Sequence, residues 1–245
     1  MTANPLGFGQ RHPQNAIELI AVYPRIYRLS GLFLVFFTGL SLMLALSGCS
    51  ALPDKPVRPT LYDFGPGNVT LEPATRQAPL PALALDDITT SGGALDNTAL
   101  LYRLAYAEVQ ALRPYAQARW STPPAQLVRQ RLREQLSLRR PVFNARDGVA
   151  INRSSSAALP LRLRLELEEF SHLFTAPDTS VGVIRLRATL VDVTASGEKF
   201  VGQRSVVVQR PASTADAAGG VRALTAATDA AIEEIDQWLQ QSALR

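Results

Sequence analysis

The sequence has very few of the side chains from which metal centres and nucleophilic active sites are built. Its 245 residues include one cysteine, Cys49, and two histidines, His12 and His172. One cysteine cannot form an internal disulfide, so packing alone must hold the fold together. The usual zinc sites need several Cys and His ligands, which this chain does not supply. We therefore expect no metal and no cofactor, and we expect His172 to be a loop or core-edge residue.

Sequence motifs for catalysis and nucleotide binding are missing as well. There is no G-x-S-x-G nucleophile elbow, and neither Gly65-Pro66-Gly67 nor Gly92-Gly93 is followed by the lysine or helix start of a phosphate-binding loop. The acidic pairs Asp86-Asp87 and Glu168-Glu169 are adjacent, and neighbours on a strand point to opposite faces, so neither pair can share a proton. We expect a protein that is not an enzyme.

The charge balance excludes a polyanion-binding protein. The chain has 25 Lys and Arg against 21 Asp and Glu, a net charge of +4, and its arginines are scattered rather than clustered. A nucleic-acid-binding protein normally carries a dense basic patch. We expect no nucleic-acid partner.

The most informative segment that is present is Leu46-Ser47-Gly48-Cys49. Arg25 and Arg28 precede an uncharged apolar run from Gly31 to Leu46, and the run ends in small residues directly before the cysteine. A basic region, an apolar core and a small-residue cleavage site, in this order, define a secretory signal. With cysteine at the cleavage site, the pattern predicts a bacterial lipoprotein that is acylated on Cys49 and cleaved before it. Several acyl chains on one cysteine make membrane attachment effectively permanent.

An uncleaved transmembrane anchor is the alternative, because Leu29 to Leu46 is just long enough to span a bilayer. The cleavage tetrapeptide and the three prolines that follow it favour the lipoprotein. Ser50 follows the cysteine where an aspartate would favour retention at the inner membrane, so we expect the periplasmic face of the outer membrane. The first 24 residues do not fit a short signal, and we expect translation to start closer to the arginines; a long basic region is the alternative.

These observations divide the chain into three parts. We expect a lipoprotein signal peptide over residues 1–48, a lipidated cysteine and proline-rich linker over 49–60, and a single periplasmic domain over 61–245. The linker contains Pro53, Pro56 and Pro59, which favour an extended backbone.

The domain shows the periodicities of both strands and helices. Leu161 to Glu168 alternates leucine with charged residues, which predicts an antiparallel strand with one wet face. Ile184 to Leu190 and Phe200 to Gln209 continue the pattern as a three-strand meander that ends at Pro211. Further strand candidates are Leu61–Phe64, Leu83–Ile88 and Leu100–Tyr106, with a turn at Ser91-Gly92-Gly93.

Two helices are predicted. Thr122 and Pro123 fit an N-cap and a first helical residue, and Val128, Leu132 and Leu136 fall on one face of a helix that runs to about Ser137. A second helix spans about Val221 to Gln241, after a loosened approach at Gly219-Gly220. We expect an α+β fold: two layers, with a mostly antiparallel sheet covered on one face by two helices. The other face would carry arginines among polar residues.

A dense group of large side chains precedes the first helix. It comprises Tyr102, Arg103, Tyr115, Arg119 and Trp120. Aromatic residues and arginine dominate interface hot spots, so the group is a candidate interaction surface. The alternative, which we favour, is internal packing in which arginines stack on aromatic rings and hold this segment onto the sheet.

At these residues the chain resembles the ABC-type transport auxiliary lipoprotein family, which includes lipoproteins of the paraquat-inducible protein C type. The resemblance rests on the order and spacing of several weak motifs, which are the lipobox, Leu61-Tyr62-Asp63-Phe64-Gly65, Leu101-Tyr102-Arg103-Leu104, Leu112-Arg113-Pro114-Tyr115, Arg119-Trp120, Pro123-Pro124-Ala125-Gln126-Leu127, Leu163-Leu165-Glu166-Leu167, Ala218-Gly219-Gly220 and Trp238-Leu239.

The resemblance implies a non-enzymatic accessory of an ABC system that contains an MCE-domain protein, a permease and an ATPase. Such systems are linked to moving phospholipids or other lipids between the inner and outer membranes. The chain would act as a docking or scaffold lipoprotein, and a homo-oligomer would suit an oligomeric MCE partner. The alternative is a periplasmic lipid-binding carrier, which would need an apolar cavity between sheet and helices. A third hypothesis, an envelope hydrolase, lacks a nucleophile–base pair in the sequence.

Overall fold

A computed structural model describes residues 31, 33–39, 57–67, 80–144, 159–194 and 196–242. The chain divides into two units, residues 1–56 and 57–245. In the first unit, residues 31 and 33–39 are helical and exposed. The predicted cleavage segment Leu46-Ser47-Gly48-Cys49 lies outside the described residues. No helix within the described ranges is both long enough and apolar enough to cross a membrane.

One sheet organises the second unit. Nine strands join it in the described part of the chain, and they are β1 (Thr60–Tyr62), β2 (Leu83–Leu85), β3 (Thr89–Thr90), β4 (Ala99–Leu104), β5 (Glu108–Trp120), β6 (Val142–Asn144), β7 (Leu161–Ala176), β8 (Thr179–Thr194) and β9 (Gly197–Pro211). Two helices of this unit follow strands in the chain: α1 (Pro124–Ser137) comes after β5, and α2 (Ala217–Ser242) comes after β9. The expectation of an α+β fold is confirmed.

The three longest strands form the predicted meander. β7 pairs antiparallel with β8 and β8 antiparallel with β9 over almost their full lengths. The other side of β7 is shared along its length by β2, β3 and β4, each parallel to it. β4 pairs antiparallel with β5, and β1 and β6 extend the sheet beside β5 and β2. Long antiparallel ladders therefore make the frame, and short parallel strands widen it.

The alternation of β7 sorts its side chains between a helix-covered face and an open face. Leu163, Leu165 and Leu167 are buried, and their charged neighbours are not. A register shift between Leu167 and Glu169 puts two residues against one of β8. Since such a bulge changes which residues face the core, Phe170 becomes the next core residue after Leu167.

Both helices contribute to a single core with the sheet. Leu127, Val128, Leu132 and Leu136 of α1 are buried in the same cluster as the leucines of β7. α2 supplies eleven buried residues from Gly219 to Leu239. Each fully buried leucine stabilises the fold by roughly 2 kcal/mol, so this core is the main source of stability.

The prediction of the start of α1 is wrong by one residue. Pro123, rather than Thr122, is the N-cap. Its side chain has no oxygen that could accept a hydrogen bond from a helical N–H group. Its carbonyl oxygen accepts the backbone N–H groups of Gln126 and Leu127, and Pro124 takes the first helical position. A proline there costs no hydrogen bond, because the first helical N–H groups have no intrahelical partner.

The prediction that Gly219 and Gly220 loosen the chain before α2 is also wrong, because both lie inside the helix. They allow close packing instead. A Cβ at Gly219 would stand 2.0 Å from the carbonyl oxygen of Thr214, and one at Gly220 would stand 2.5 Å from Nδ1 of His172.

The sequence pattern did not predict β5 as a strand. Its thirteen residues include Pro114 and show no regular alternation of burial. Proline removes a backbone donor and is confined to edge positions of a sheet. β1 pairs only with Ala118–Trp120 of β5. On the side of β5 that faces β1, Pro114 therefore has no paired strand among the described residues.

Candidate functional site

The five residues of the candidate interaction surface occupy different environments. The rings of Tyr102 and Tyr115 contact each other at a tilt of 48° with centroids 4.8 Å apart, and both residues are half-buried. Trp120 is 1% exposed and packs edge-on against Phe64. Trp120 is therefore part of the core under the β1 segment, and it is not available on the surface.

The two arginines of the group contact carboxylate and carbonyl oxygens. Arg103 forms a two-point ion pair with Glu169, with Nε–Oε1 3.2 Å and Nη2–Oε2 3.1 Å. It also donates to the carbonyl oxygens of Val109 and Gln110, which ties β4 to β5. Arg119 donates to the carbonyl oxygens of Tyr115 and Ala118 on its own strand. Both guanidinium groups thus bind the protein's own polar atoms.

His172 is the centre of a buried polar network. Its Nδ1 is 2.8 Å from the hydroxyl oxygen of Tyr115, and its Nε2 is 2.7 Å from Oγ of Ser180. The ring is fully buried in β7, so the expectation of a loop or core-edge position is wrong. The reason is the bulge, after which Phe170, His172 and Phe174 face the core in alternation.

Burial determines the protonation of this network. Desolvation lowers the pKa of His172 to about 4, and the carboxylate of Asp216 opposes the shift only weakly. Desolvation also raises the pKa of Tyr115, with a further contribution from Tyr102. A neutral imidazole donates one hydrogen bond and accepts the other, which satisfies both hydroxyl groups at neutral pH.

Ser180 and His172 are as close as a nucleophile and its general base would be, but both side chains are buried and no substrate could reach them. Ser180 is 4% exposed. Gly220 of α2 is so close to the imidazole that even a Cβ would clash with it. A catalytic hydroxyl must reach the reacting atom, so we assign this network to the packing of α2 against the sheet.

The open face of the sheet carries charged side chains that pair with one another. Arg164 of β7 binds Asp86 at 3.0 Å and Glu198 at 2.6 Å, and Arg162 binds Glu198 at 3.0 Å. Hydrogen bonds to both carboxylates raise the pKa of Arg164. Asp86 follows β2 and Glu198 lies on β9, so these ion pairs cross the sheet. Arg187 of β8 likewise contacts two carboxylates of β7, Glu166 and Glu168.

A cleft lies between α1 and the segment that joins β2 to β4. Its volume is about 890 Å³, and it is open to solvent. The lining combines apolar side chains near the core with charged and amide groups, namely Ile88, Leu95, Pro123, Ala125, Asp87, Asp96, Gln126, Gln130, Arg129 and Arg133, together with Thr89 and Thr90.

Two arginines of α1 converge on one neutral acceptor at this cleft. Nη2 of Arg129 and Nη1 of Arg133 lie 2.9 and 2.6 Å from the same Oδ1 of Asn144, the last residue of β6. Arg129 also forms an ion pair with Asp87 at 3.2 Å. The convergence of the two arginines depends on where β6 ends and could not be predicted from sequence spacing. No group of three or more potential metal ligands occurs within the described ranges.

Comparisons with known proteins identify one family and, separately, a shared fold. Residues 62–236 match a family model described as ABC-type transport auxiliary lipoprotein component. Protein XCC0632 from Xanthomonas campestris, described as DUF330, is 18% identical, with a TM-score of 0.55 over 77% of this chain and 94% of its own. An uncharacterised protein of known crystal structure is 12% identical, with a TM-score of 0.50 over 74% and 99%. No curated protein matches significantly. At such identities the solved structures support the fold alone.

Proposed function

This chain belongs to the family of ABC-type transport auxiliary lipoprotein components, and from this premise we propose that it is the docking lipoprotein of an MCE-type ABC system. Membership of a lipoprotein family indicates the cell envelope. The proposed role is to stand on the periplasmic face of the outer membrane and bind the MCE assembly that reaches across from the inner membrane. The system would move phospholipid or another lipid between the two membranes. The family match is the observation that carries the proposal.

A scaffold role is consistent with the chemistry of the described residues. The histidine and serine that are close enough to react are buried, and the sequence has no phosphate-binding loop. ATP hydrolysis would therefore belong to a separate ATPase subunit. We propose a non-enzymatic protein whose partners are the MCE-domain protein and its permease.

The packing favours docking over the carrier alternative. A carrier needs an apolar cavity between the sheet and the helices, but one continuous cluster of buried side chains fills this space. Trp120, Phe170 and the leucines of β7 belong to it. Holding an acyl chain there would require several of these side chains to move, which close-packed cores resist.

Crosslinking in intact cells tests the docking role. We expect an affinity-tagged chain, crosslinked before lysis, to recover the MCE-domain protein and the permease. A matched control is the same tagged chain with Cys49→Ser, which keeps the folded domain but removes the site of acylation. Equal recovery of an unrelated envelope protein in both samples, with no MCE or permease subunit, would reject the proposal.

A further inference from the structure

We propose that the cleft beside α1 binds a phosphate group across Arg129 and Arg133. The phosphate belongs either to a lipid head group or to a free anion, and the chemistry of recognition is the same. Only the lipid as a source of the phosphate rests on the proposed function; recognition of the phosphate depends on the residues of the cleft alone.

Electrostatics favours an anion between the two arginines. Because Arg129 and Arg133 both donate to Oδ1 of Asn144, their contacting nitrogen atoms lie no farther apart than the sum of two hydrogen-bond distances. Two like charges held this close repel each other. A neutral amide oxygen orients them but does not neutralise them. An anion placed between them would relieve this repulsion.

The protein's own anions leave these two arginines largely available. Within the described ranges Arg133 forms no ion pair; it donates to Asn144 and to the carbonyl oxygen of Val142. In the same ranges Arg129 forms an ion pair with Asp87 alone, and the side chain of Asp87 is 83% exposed. An exposed ion pair contributes little to stability, so Asp87 can turn to water at little cost.

The geometry of the guanidinium donors suits a phosphate. Each guanidinium carries more N–H donors than these contacts use, and they lie in a plane. A carboxylate has two oxygens and suits one guanidinium, whereas a phosphate offers oxygens in a tetrahedral arrangement and can bridge two. Thr89, Gln126 and Gln130 also line the cleft and supply uncharged polar groups.

The remaining lining accommodates the rest of a lipid head group. Ile88, Leu95 and Ala125 are buried core residues whose side chains border the cleft. Asp96, bonded to the hydroxyl of Thr90, is a second carboxylate of the lining. A phosphodiester with a positively charged substituent would therefore meet opposite charges at both of its groups.

Calorimetric titration of the full lipoprotein in a maltoside detergent tests the inference. The probes are dihexanoyl phosphatidylethanolamine, inorganic phosphate and dihexanoylglycerol, which lacks phosphate. We expect binding of at least one phosphate-bearing probe and none of dihexanoylglycerol. Phosphatidylethanolamine binding more tightly than phosphate would identify a lipid head group, and equal affinities would identify a free anion as the ligand.

Two matched variants locate the binding. Arg133→Gln should weaken binding at least about tenfold, since it removes one of two charge-assisted contacts. Arg185→Gln makes the same change in charge on β8, where Arg185 is exposed and forms no ion pair in the described part of the chain, and it should leave binding unchanged. Equal weakening by both, or equal binding of dihexanoylglycerol, or no binding of either phosphate probe, would overturn the assignment.

A further variant protects the test against misfolding. Gln126 is an exposed residue of the same wall, so Gln126→Glu adds a negative charge while both arginines keep their contacts. It should weaken phosphate binding without lowering the thermal stability of the protein. Unchanged affinity in this variant counts against the site even if Arg133→Gln does not fold. The docking test is read from crosslinks in cells, so either proposal can fail while the other stands.

Discussion

At the scale of single residues, His172 shows how burial converts a titratable side chain into a structural one. Its imidazole is fully buried between Tyr115 of β5 and Ser180 of β8, with Gly220 of α2 against the ring. The neutral form satisfies both hydroxyl groups. Protonation would place an uncompensated charge inside this network, with Asp216 as the only carboxylate acting on it among the described groups.

His172 should make the protein acid-sensitive. Its pKa falls from 6.5 in the unfolded chain to about 4 in the fold, so between these values the unfolded chain binds a proton that the folded chain excludes. The stabilisation is present above pH 6.5 and is lost as the pH falls towards 4, at up to about 1.4 kcal/mol per pH unit. Urea unfolding at a series of pH values measures this slope.

The control separates His172 from the carboxylates. Asp216 has its pKa lowered from the ordinary value of 3.8, chiefly by the N–H of Gly219, so its contribution is present above pH 3.8 and is lost as the pH falls from there through the lowered pKa. His172→Gln should remove the steep dependence between pH 6.5 and 4 and keep the carboxylate part. If wild type and variant show the same slope, the imidazole does not control acid stability.

Gly182 is a second residue whose role is spatial. A Cβ at this position of β8 would stand 2.5 Å from the carbonyl carbon of Ala223 and from the backbone nitrogen of Leu224. These are backbone atoms of α2 and cannot move alone. Gly182→Ala should therefore destabilise the protein by about 2 to 3 kcal/mol, the usual cost of overpacking a core.

The matched change is Gly93→Ala, where an added Cβ meets nothing within 4 Å. It should leave the urea midpoint of unfolding nearly unchanged. A similar loss of stability in both variants would show that glycine matters at these positions for chain flexibility rather than for the close approach of α2.

At the scale of elements, the start of α2 is fixed by Asp216. Its Oδ1 accepts the backbone N–H of Gly219 at 2.7 Å and the hydroxyl of Thr214 at 2.7 Å. Its carbonyl oxygen accepts the first helical hydrogen bond, from Gly220. This is the geometry of an N-cap, and a negative charge here also suits the positive end of the helix dipole.

Asp216→Ala should cost about 1 kcal/mol, because it leaves the N–H of Gly219 without its side-chain acceptor. Asp216→Asn keeps the acceptor and should recover most of the loss. Thermal unfolding of both variants measures the difference. If asparagine is as damaging as alanine, the charge rather than the cap hydrogen bond holds the start of α2.

Elements with local signals could be predicted from the sequence, and those that depend on distant partners could not. The alternation in Leu161–Glu168 depends only on one wet face and one dry face, and it appears in β7 as expected. β2 and β3 are too short to show a period, and they exist because they pair with β7 about eighty residues away. β5 contains a proline that only its edge position tolerates.

The candidate sites divide in the same way. Tyr102, Arg103 and Tyr115 stood out because large side chains are close in sequence, but their partners Glu169 and His172 lie on β7. The cleft escaped prediction because Arg129, Asp87 and Asn144 come from three segments. Only the parallel pairing of β6 with β2 brings Asn144 beside the chain that follows β2.

At the scale of the whole molecule, the sheet and α1 hold their arginines in different ways. On the open face of the sheet, Arg162, Arg164 and Arg187 form ion pairs with carboxylates of other strands or of the segment after β2. The cleft beside α1 keeps two arginines around a neutral acceptor. An anion bound in the cleft would supply the charge balance that these arginines of the sheet already have.

The proposed anchor predicts where the protein is found in a cell. Acylation of Cys49 would hold the chain at a membrane, and each buried CH₂ of an acyl chain contributes about 0.8 kcal/mol. If the cysteine were lost, the described domain would remain folded but would carry no acyl chains. We expect Cys49→Ser to abolish the mass increase due to acyl chains and the processing of the precursor, as measured by mass spectrometry of the intact protein. Ser50→Asp is the matched change next to the cleavage site: it should keep acylation and shift the protein from outer-membrane to inner-membrane fractions. Normal processing of the Cys49→Ser protein would contradict the lipoprotein assignment, because a signal peptidase specific for acylated cysteine would have nothing to recognise.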